Sequence, residues 1–179
     1  LLFGLMLVIA GLQSIGLFRY LGFRLLGRTK TTLQLGFLLV AMCFFGSMLI
    51  TNDVALITFV PFAVMTLTMA GERRLLIPVV VLQTVAANLG SMFTPVGNPQ
   101  NLYLYTAFEL SMGTFLGYML PLTLLSLLLL SAAVFLLGSK PLTVQTSENP
   151  GIPDRKKLAV YALLFLVCLS CVLRLLSWP

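Results

Sequence analysis

Apolar runs of helix length dominate the chain, and short polar stretches interrupt them. Residues 1–18, 33–50, 54–70, 77–93, 115–137 and 158–176 are almost wholly apolar. A bilayer core takes about 20 residues of helix, so these runs predict membrane helices. The segment 19–32 has a different pattern. Arg19, Arg24, Arg28 and Lys30 recur at near-helical spacing among Phe18, Leu21, Phe23, Leu25 and Leu26. Basic residues near one face with apolar residues elsewhere predict a helix lying in the headgroup region; a plain basic loop is the alternative. Between 138 and 157 lies the one long hydrophilic stretch, with Pro141, Pro150 and Pro153, and it reads as a linker.

Two polar interruptions stand apart because long apolar runs flank both. The first is Thr51-Asn52-Asp53; the second is Thr94-Pro95-Val96-Gly97-Asn98-Pro99-Gln100-Asn101. Backbone that cannot stay helical at membrane depth is tolerated only where protein buries it or a water-filled cavity meets it. Two such breaks close in sequence read as two walls of a solute site. Asp53 is the one acid far from a predicted membrane surface. An intramembrane carboxylate faces a cavity or a partner, so Asp53 is a candidate ion ligand or proton carrier. The alternative is a water-exposed loop in which Asp53 N-caps the following helix.

In the second interruption each proline removes a backbone donor and opposes helix before it. Gly97 allows reversal or close approach. Freed carbonyls can hold Na⁺, with Asn98, Gln100 and Asn101 adding amides, while a helix starting near Gln100 would turn its positive end toward an anion. A proline kink or an extramembrane turn is the alternative. Upstream, Asn88, Gly90 and Ser91 are small or polar and favour close helix packing.

Composition agrees with the pattern: 59% of the 179 residues are hydrophobic and 9% charged, against about 45–50% and about 25% in soluble domains. The chain opens Leu1-Leu2-Phe3 inside an apolar run and is read as a piece of a longer protein. The absence of His removes His-based catalysis and His metal sites. Cys43, Cys168 and Cys171 lie in apolar runs and read as small buried hydrophobes. No phosphate loop or nucleophile–base set is present, so an enzyme is not expected, and nucleic-acid binding does not suit so apolar a chain. Ten of the eleven Lys and Arg fall in 19–32, 71–74 and 138–157. The positive-inside rule puts all three on the cytoplasmic side. The arms 33–50 and 54–70 then leave and return to one side, 77–108 crosses in broken form, and 115–137 crosses back. At about 17 or 18 residues the arms sit at the short edge for spanning, which leans toward a re-entrant hairpin.

These motifs resemble the divalent anion:sodium symporter family, within the ion transporter superfamily that also holds citrate carriers, arsenite permeases and a class of Na⁺/H⁺ antiporters. Its members carry a Ser-Asn-Thr hairpin tip with a proline about ten residues on; here Thr51-Asn52-Asp53 is followed by Pro61. Its second signature, Ala-Asn-Ile-Gly-Gly followed by Thr-Pro-Ile-Gly-Thr-Pro-Pro-Asn, is matched by Ala87-Asn88-Leu89-Gly90-Ser91 and Thr94 to Asn101. The resemblance covers roughly residues 10–137. It implies two inverted repeats, each giving a hairpin and a broken helix to a moving domain. It assigns Thr51, Asn52, Thr94, Gly97 and Asn98 to a first cation site, and places Asn52 and Asn101 near the substrate. The chain departs from the pattern at Asp53 and at Asn98-Pro99-Gln100, which leaves the coupling ion and the solute's charge open.

The expected fold is thus an all-α, polytopic membrane protein, one half of an inverted-repeat transporter. Residues 1–137 would be the first repeat, with an interfacial helix 19–32, a hairpin 33–70, a broken helix 77–112 and a spanning helix 115–137. A cytoplasmic linker 138–157 and the first helix of the next repeat, 158–179, would follow. The expected function is secondary active transport of a small anion by alternating access. Na⁺ or H⁺ would couple it, with ions at Thr51, Asn52, Asp53, Thr94, Gly97 and Asn98 and solute at Thr51, Asn52 and Asn101. A cation/proton antiporter using Asp53 and a non-transporting membrane scaffold are the alternatives. The expected partners are the bilayer of the cell membrane, the C-terminal half and a second copy in a homodimer.

Overall fold

A computed structural model describes residues 2–142, 151 and 154–172. Eight α-helices follow one another among them: α1 (Leu2–Ser14), α2 (Leu17–Leu26), α3 (Thr32–Leu49), α4 (Asn52–Met69), α5 (Leu76–Ser91), α6 (Pro99–Ala107), α7 (Met112–Phe135) and α8 (Arg155–Val172). A single 3₁₀ turn, Arg73–Leu75, leads into α5, and no strand forms among the described residues. The chain is all-α, as its runs predict. Four helical stretches are long and apolar enough to cross a membrane: Thr32–Leu49, Asn52–Met69, Arg73–Ser91 and Met112–Phe135.

The N-terminal boundaries differ from the sequence reading. The first run stops at Ser14, because Gly16 takes φ 79° and turns the chain. The basic segment is helical only over Leu17–Leu26, not to residue 32. It ends there because Thr31 is extended: its hydroxyl caps α3 by accepting from the Gln34 N–H, and it pairs with Pro141 in an isolated antiparallel bridge. Helix α2 is nonetheless amphipathic. Phe18, Gly22 and Leu26 are buried while Arg19 and Arg24 are exposed, and Phe18 meets Phe62 of α4 edge to face at 6.0 Å.

Helix α3 occupies the centre. It packs most extensively on α5, and α4 covers both. Leu35, Leu39, Cys43 and Phe44 of α3, Val79, Ala86 and Ala87 of α5, and Val54, Ala63 and Leu67 of α4 are buried together. Gly90 explains how closely α3 and α5 approach. A Cβ there would overlap the Phe44 carbonyl oxygen, so any larger residue would push the helices apart. Helix α7 lies on α3 and α5 through Leu130 and Val134, and turns Leu122, Leu125, Leu128 and Leu129 outward. Residues 143–150 and 152–153 of the linker, and residues 173–179, lie outside the described residues, as do the side chains of Cys168 and Cys171.

Candidate functional site

The hairpin turn is shorter than its three polar residues imply. Ile50 and Thr51 are extended, and α4 begins at Asn52, so Asn52 and Asp53 belong to its first turn. Thr51, not Asp53, takes the N-cap position, and its side chain makes no capping bond. The first N–H of α4 is satisfied from elsewhere: Asn52 N–H donates to the Gly97 carbonyl at 3.1 Å.

That carbonyl belongs to the second interruption. Helix α5 stops at Ser91, seven non-helical residues follow, and α6 starts at Pro99, where a proline lacks only an N–H that no helix would use. Asn98 caps α6 by accepting the Asn101 N–H at 2.8 Å, and its NH₂ donates to the Ser91 hydroxyl at 3.3 Å. The Thr94 hydroxyl accepts the Gly97 N–H at 3.1 Å. Gly97 is required by space rather than by reversal, since a Cβ would run into the Ser91 carbonyl. Asn101 is 6% exposed, and its NH₂ donates to the carbonyls of Met92 at 2.7 Å, Thr94 at 3.0 Å and Ser91 at 3.3 Å. The end of a helix leaves carbonyls without intrahelical partners, and Asn101 collects those of the break.

Further bonds fasten the two interruptions to each other. The Thr94 hydroxyl donates to the Met48 carbonyl in the last turn of α3 at 2.7 Å. Asn52 NH₂ donates to the Asn88 side-chain carbonyl at 3.2 Å, and Asn88 NH₂ is anchored on the Thr84 carbonyl at 2.8 Å. Thr51, Asn52, Thr94, Gly97, Asn98 and Asn101 therefore form one cluster, with Asp53 exposed on the same turn of α4. Most donors of the cluster are engaged in closing it. The Thr51 hydroxyl, the Asn52 side-chain carbonyl and the Asp53 carboxylate have no hydrogen-bond partner among the described residues. The beginnings of α4 and α6 lie beside them, held together by the Asn52–Gly97 bond.

Sequence reasoning missed the roles of three residues. Ser91 and Asn88 were legible only as small or polar packing residues, whereas both bond directly to cluster side chains. Gln83 was not singled out at all. It is fully buried, and its NH₂ donates to the carbonyls of Leu39 in α3 at 3.1 Å and Phe59 in α4 at 3.4 Å, while its Oε1 has no partner. Its one signal was an amide inside the run 77–93.

The profile of the citrate transporter family matches residues 1–179. The chain belongs to the citrate transporter family. This family member is 37% identical over 138 residues to inner membrane protein YbiR of Escherichia coli (strain K12), covering 74% of the chain and 36% of that protein. It is 30% identical over 183 residues to an uncharacterized transporter of Methanocaldococcus jannaschii, covering 99% of the chain and 48% of the relative. A silicon efflux transporter of Oryza sativa subsp. japonica is 35% identical over 122 residues, 68% of the chain and 24% of that protein. The chain thus spans about half or less of the length of these relatives. No solved structure matches it. With its four membrane-length helices, this citrate transporter family chain is a multi-pass membrane protein.

Proposed function

We propose that the chain is the first half of a secondary active transporter that moves a small anion, coupled to Na⁺ or H⁺, by alternating access. One observation carries the reading: the hairpin tip is bonded to the gap of the broken helix, through Asn52 to Gly97 and Thr94 to Met48. A tip and a gap built as one unit are a natural place for two opposite charges. The Thr51, Asn52 and Asp53 oxygens, joined by Thr94, Gly97 and Asn98 oxygens, suit a cation. The starts of α4 and α6, with their positive ends, suit an anion. Thr51 and Asn52 would then face the solute. Asn101, whose NH₂ is taken up by three carbonyls, supports the pocket from behind. A C-terminal half would complete the pocket within a homodimer, and cation binding would neutralise Asp53 before the anion enters.

The test uses the full-length parent in proteoliposomes, with citrate and a dissolved silicon species as the first probes. Asp53→Asn should raise the Na⁺ or H⁺ concentration for half-maximal transport roughly tenfold or more, as expected for one lost charged ligand. Asn98→Ala should act in the same direction. Unchanged transport and ion dependence in both variants would remove the site assignment.

A second reading rests on Asp53 being exposed with no partner among the described residues. A lone carboxylate can bind Na⁺ and H⁺ in competition, which is antiport. Vesicles carrying the parent protein and no organic anion would then change internal pH when Na⁺ is added. Under the symport reading their pH stays constant.

A further inference from the structure

A second site lies away from both interruptions, where the start of α3 meets the end of α7. After α7 the chain turns at Gly138, with φ 74°, and runs back along residues 30–32. Thr32 N–H donates to the Lys140 carbonyl at 2.9 Å, Lys140 N–H to the Thr32 hydroxyl at 2.9 Å, and Leu142 N–H to the Lys30 carbonyl at 3.0 Å. Thr32 is fully buried beneath this strap. The strap pairs Lys30 with Leu142 and Thr32 with Lys140 across the Thr31–Pro141 bridge, so Lys30 and Lys140 both stand on it, with Arg28 just upstream. All three are exposed, and none has an acidic partner among the described residues.

Beside the strap opens a groove of about 510 Å³, lined at its polar end by Arg28 and Gln34 and along its length by Phe37, Leu38, Val134 and Phe135. The Gln34 side-chain carbonyl is used by the Lys30 N–H at 2.9 Å, which leaves its NH₂ to donate. Phe37 and Phe135 are 44% and 65% exposed, on helices of membrane-spanning length. The groove thus has a cationic, donor-rich mouth at a helix-end level and an apolar trough running into the bilayer. Its volume falls within the roughly 300–1,000 Å³ usual for ligand sites.

We propose that this groove binds an anionic phospholipid, its phosphate at Arg28 and Gln34 and an acyl chain against Phe37, Leu38 and Phe135. Charge complementarity selects the headgroup, since basic clusters at a membrane surface attract anionic lipids. The apolar trough selects a lipid over a soluble anion. A lipid in the groove would lie against Phe37 and Leu38 of α3 and Val134 and Phe135 of α7, and so tie α7 to α3. The proposal does not depend on which solute the protein carries.

The experiment is native mass spectrometry on the full-length parent, with dioleoyl phosphatidylglycerol compared against dioleoyl phosphatidylcholine. Phosphatidylglycerol should be retained more strongly, and Arg28→Gln should lower its retention about fivefold, the factor one surface cation contributes toward an anionic lipid, without changing phosphatidylcholine. Leu38→Trp, which fills the trough, should lower both lipids. Excess glycerol 3-phosphate should displace neither. Equal retention of the two lipids, full retention by both variants, or displacement by glycerol 3-phosphate would overturn the proposal. Should Leu38→Trp fail to fold, photo-crosslinking of the unmodified protein with a diazirine phosphatidylglycerol decides. Label in peptides from 28–38 and 134–142 supports the site, and label only elsewhere refutes it.

Discussion

Asn101 holds the break shut, and the consequences can be measured one atom at a time. Its single NH₂ reaches the carbonyls of Ser91, Met92 and Thr94, all inside a nearly closed environment. Removing the amide takes a donor from all three carbonyls, of which that of Thr94 keeps the Gly97 N–H, a loss of about 1–3 kcal/mol. Asn101→Ala should therefore lower the unfolding stability of the full-length protein in detergent by that amount, and Asn101→Asp should be worse because a carboxylate would face carbonyl oxygens. If Asn101 instead acted by touching solute, Asn101→Ala would raise KM and leave stability intact. At this scale the sequence announced which residues are unusual, but not what they bond. Asn98 and Asn101 are both amides in a polar run, and only the fold of residues 91–98 places three carbonyls around the second. Gly97 is similar: its presence marks a special position, and the Ser91 carbonyl beside it gives the reason.

At the scale of elements, Gln83 joins three helices. From α5 it donates to α3 at Leu39 and to α4 at Phe59, and the Cys43 thiol of α3 donates back to the Gln83 backbone carbonyl at 3.4 Å. The NH₂ must face the two carbonyls, since an oxygen there would meet like lone pairs. The unpartnered Oε1 offsets part of what these bonds contribute. Replacing both ends by an apolar side chain of similar length should thus be mild. Gln83→Leu is expected to change unfolding stability by no more than about 1 kcal/mol, whereas Gln83→Glu, which adds a buried charge beside two carbonyls, should cost about 3 kcal/mol or more. Chemical unfolding of the two variants side by side would check the order, and a Gln83→Leu loss as large as that of Gln83→Glu would contradict it. Helix identity was legible in the run lengths, because four of the runs are long and apolar. Helix ends were less so. Gly16 splits the first run and Thr31 stops the basic helix through contacts with residues 140–142, which are distant in sequence and carry no local signal.

At the scale of the whole molecule, the hairpin α3–α4 decides how the site meets water. Each arm has 18 residues, about 27 Å of helix against a hydrocarbon core of about 30 Å. A re-entrant hairpin puts its tip at membrane depth, whereas two tilted spans put it at the far surface. The pairing of the two interruptions, which the sequence shows only as two polar stretches some forty residues apart, makes these alternatives separable. Because Asn52 and Thr94 fasten tip to gap, a probe in the gap reports on the tip without altering it. Val96 is 40% exposed and makes none of the fastening bonds. In a full-length parent stripped of other cysteines, Val96→Cys should react with a membrane-impermeant thiol reagent slowly from either side of sealed vesicles, and more slowly still when Na⁺ and the proposed anion are present together. A re-entrant tip in the proposed alternating-access transporter requires this, since water would reach it from one side at a time and bound solute would cover it. Fast labelling from one side only, indifferent to ion and anion, would place tip and gap at a surface and make the hairpin a pair of full spans.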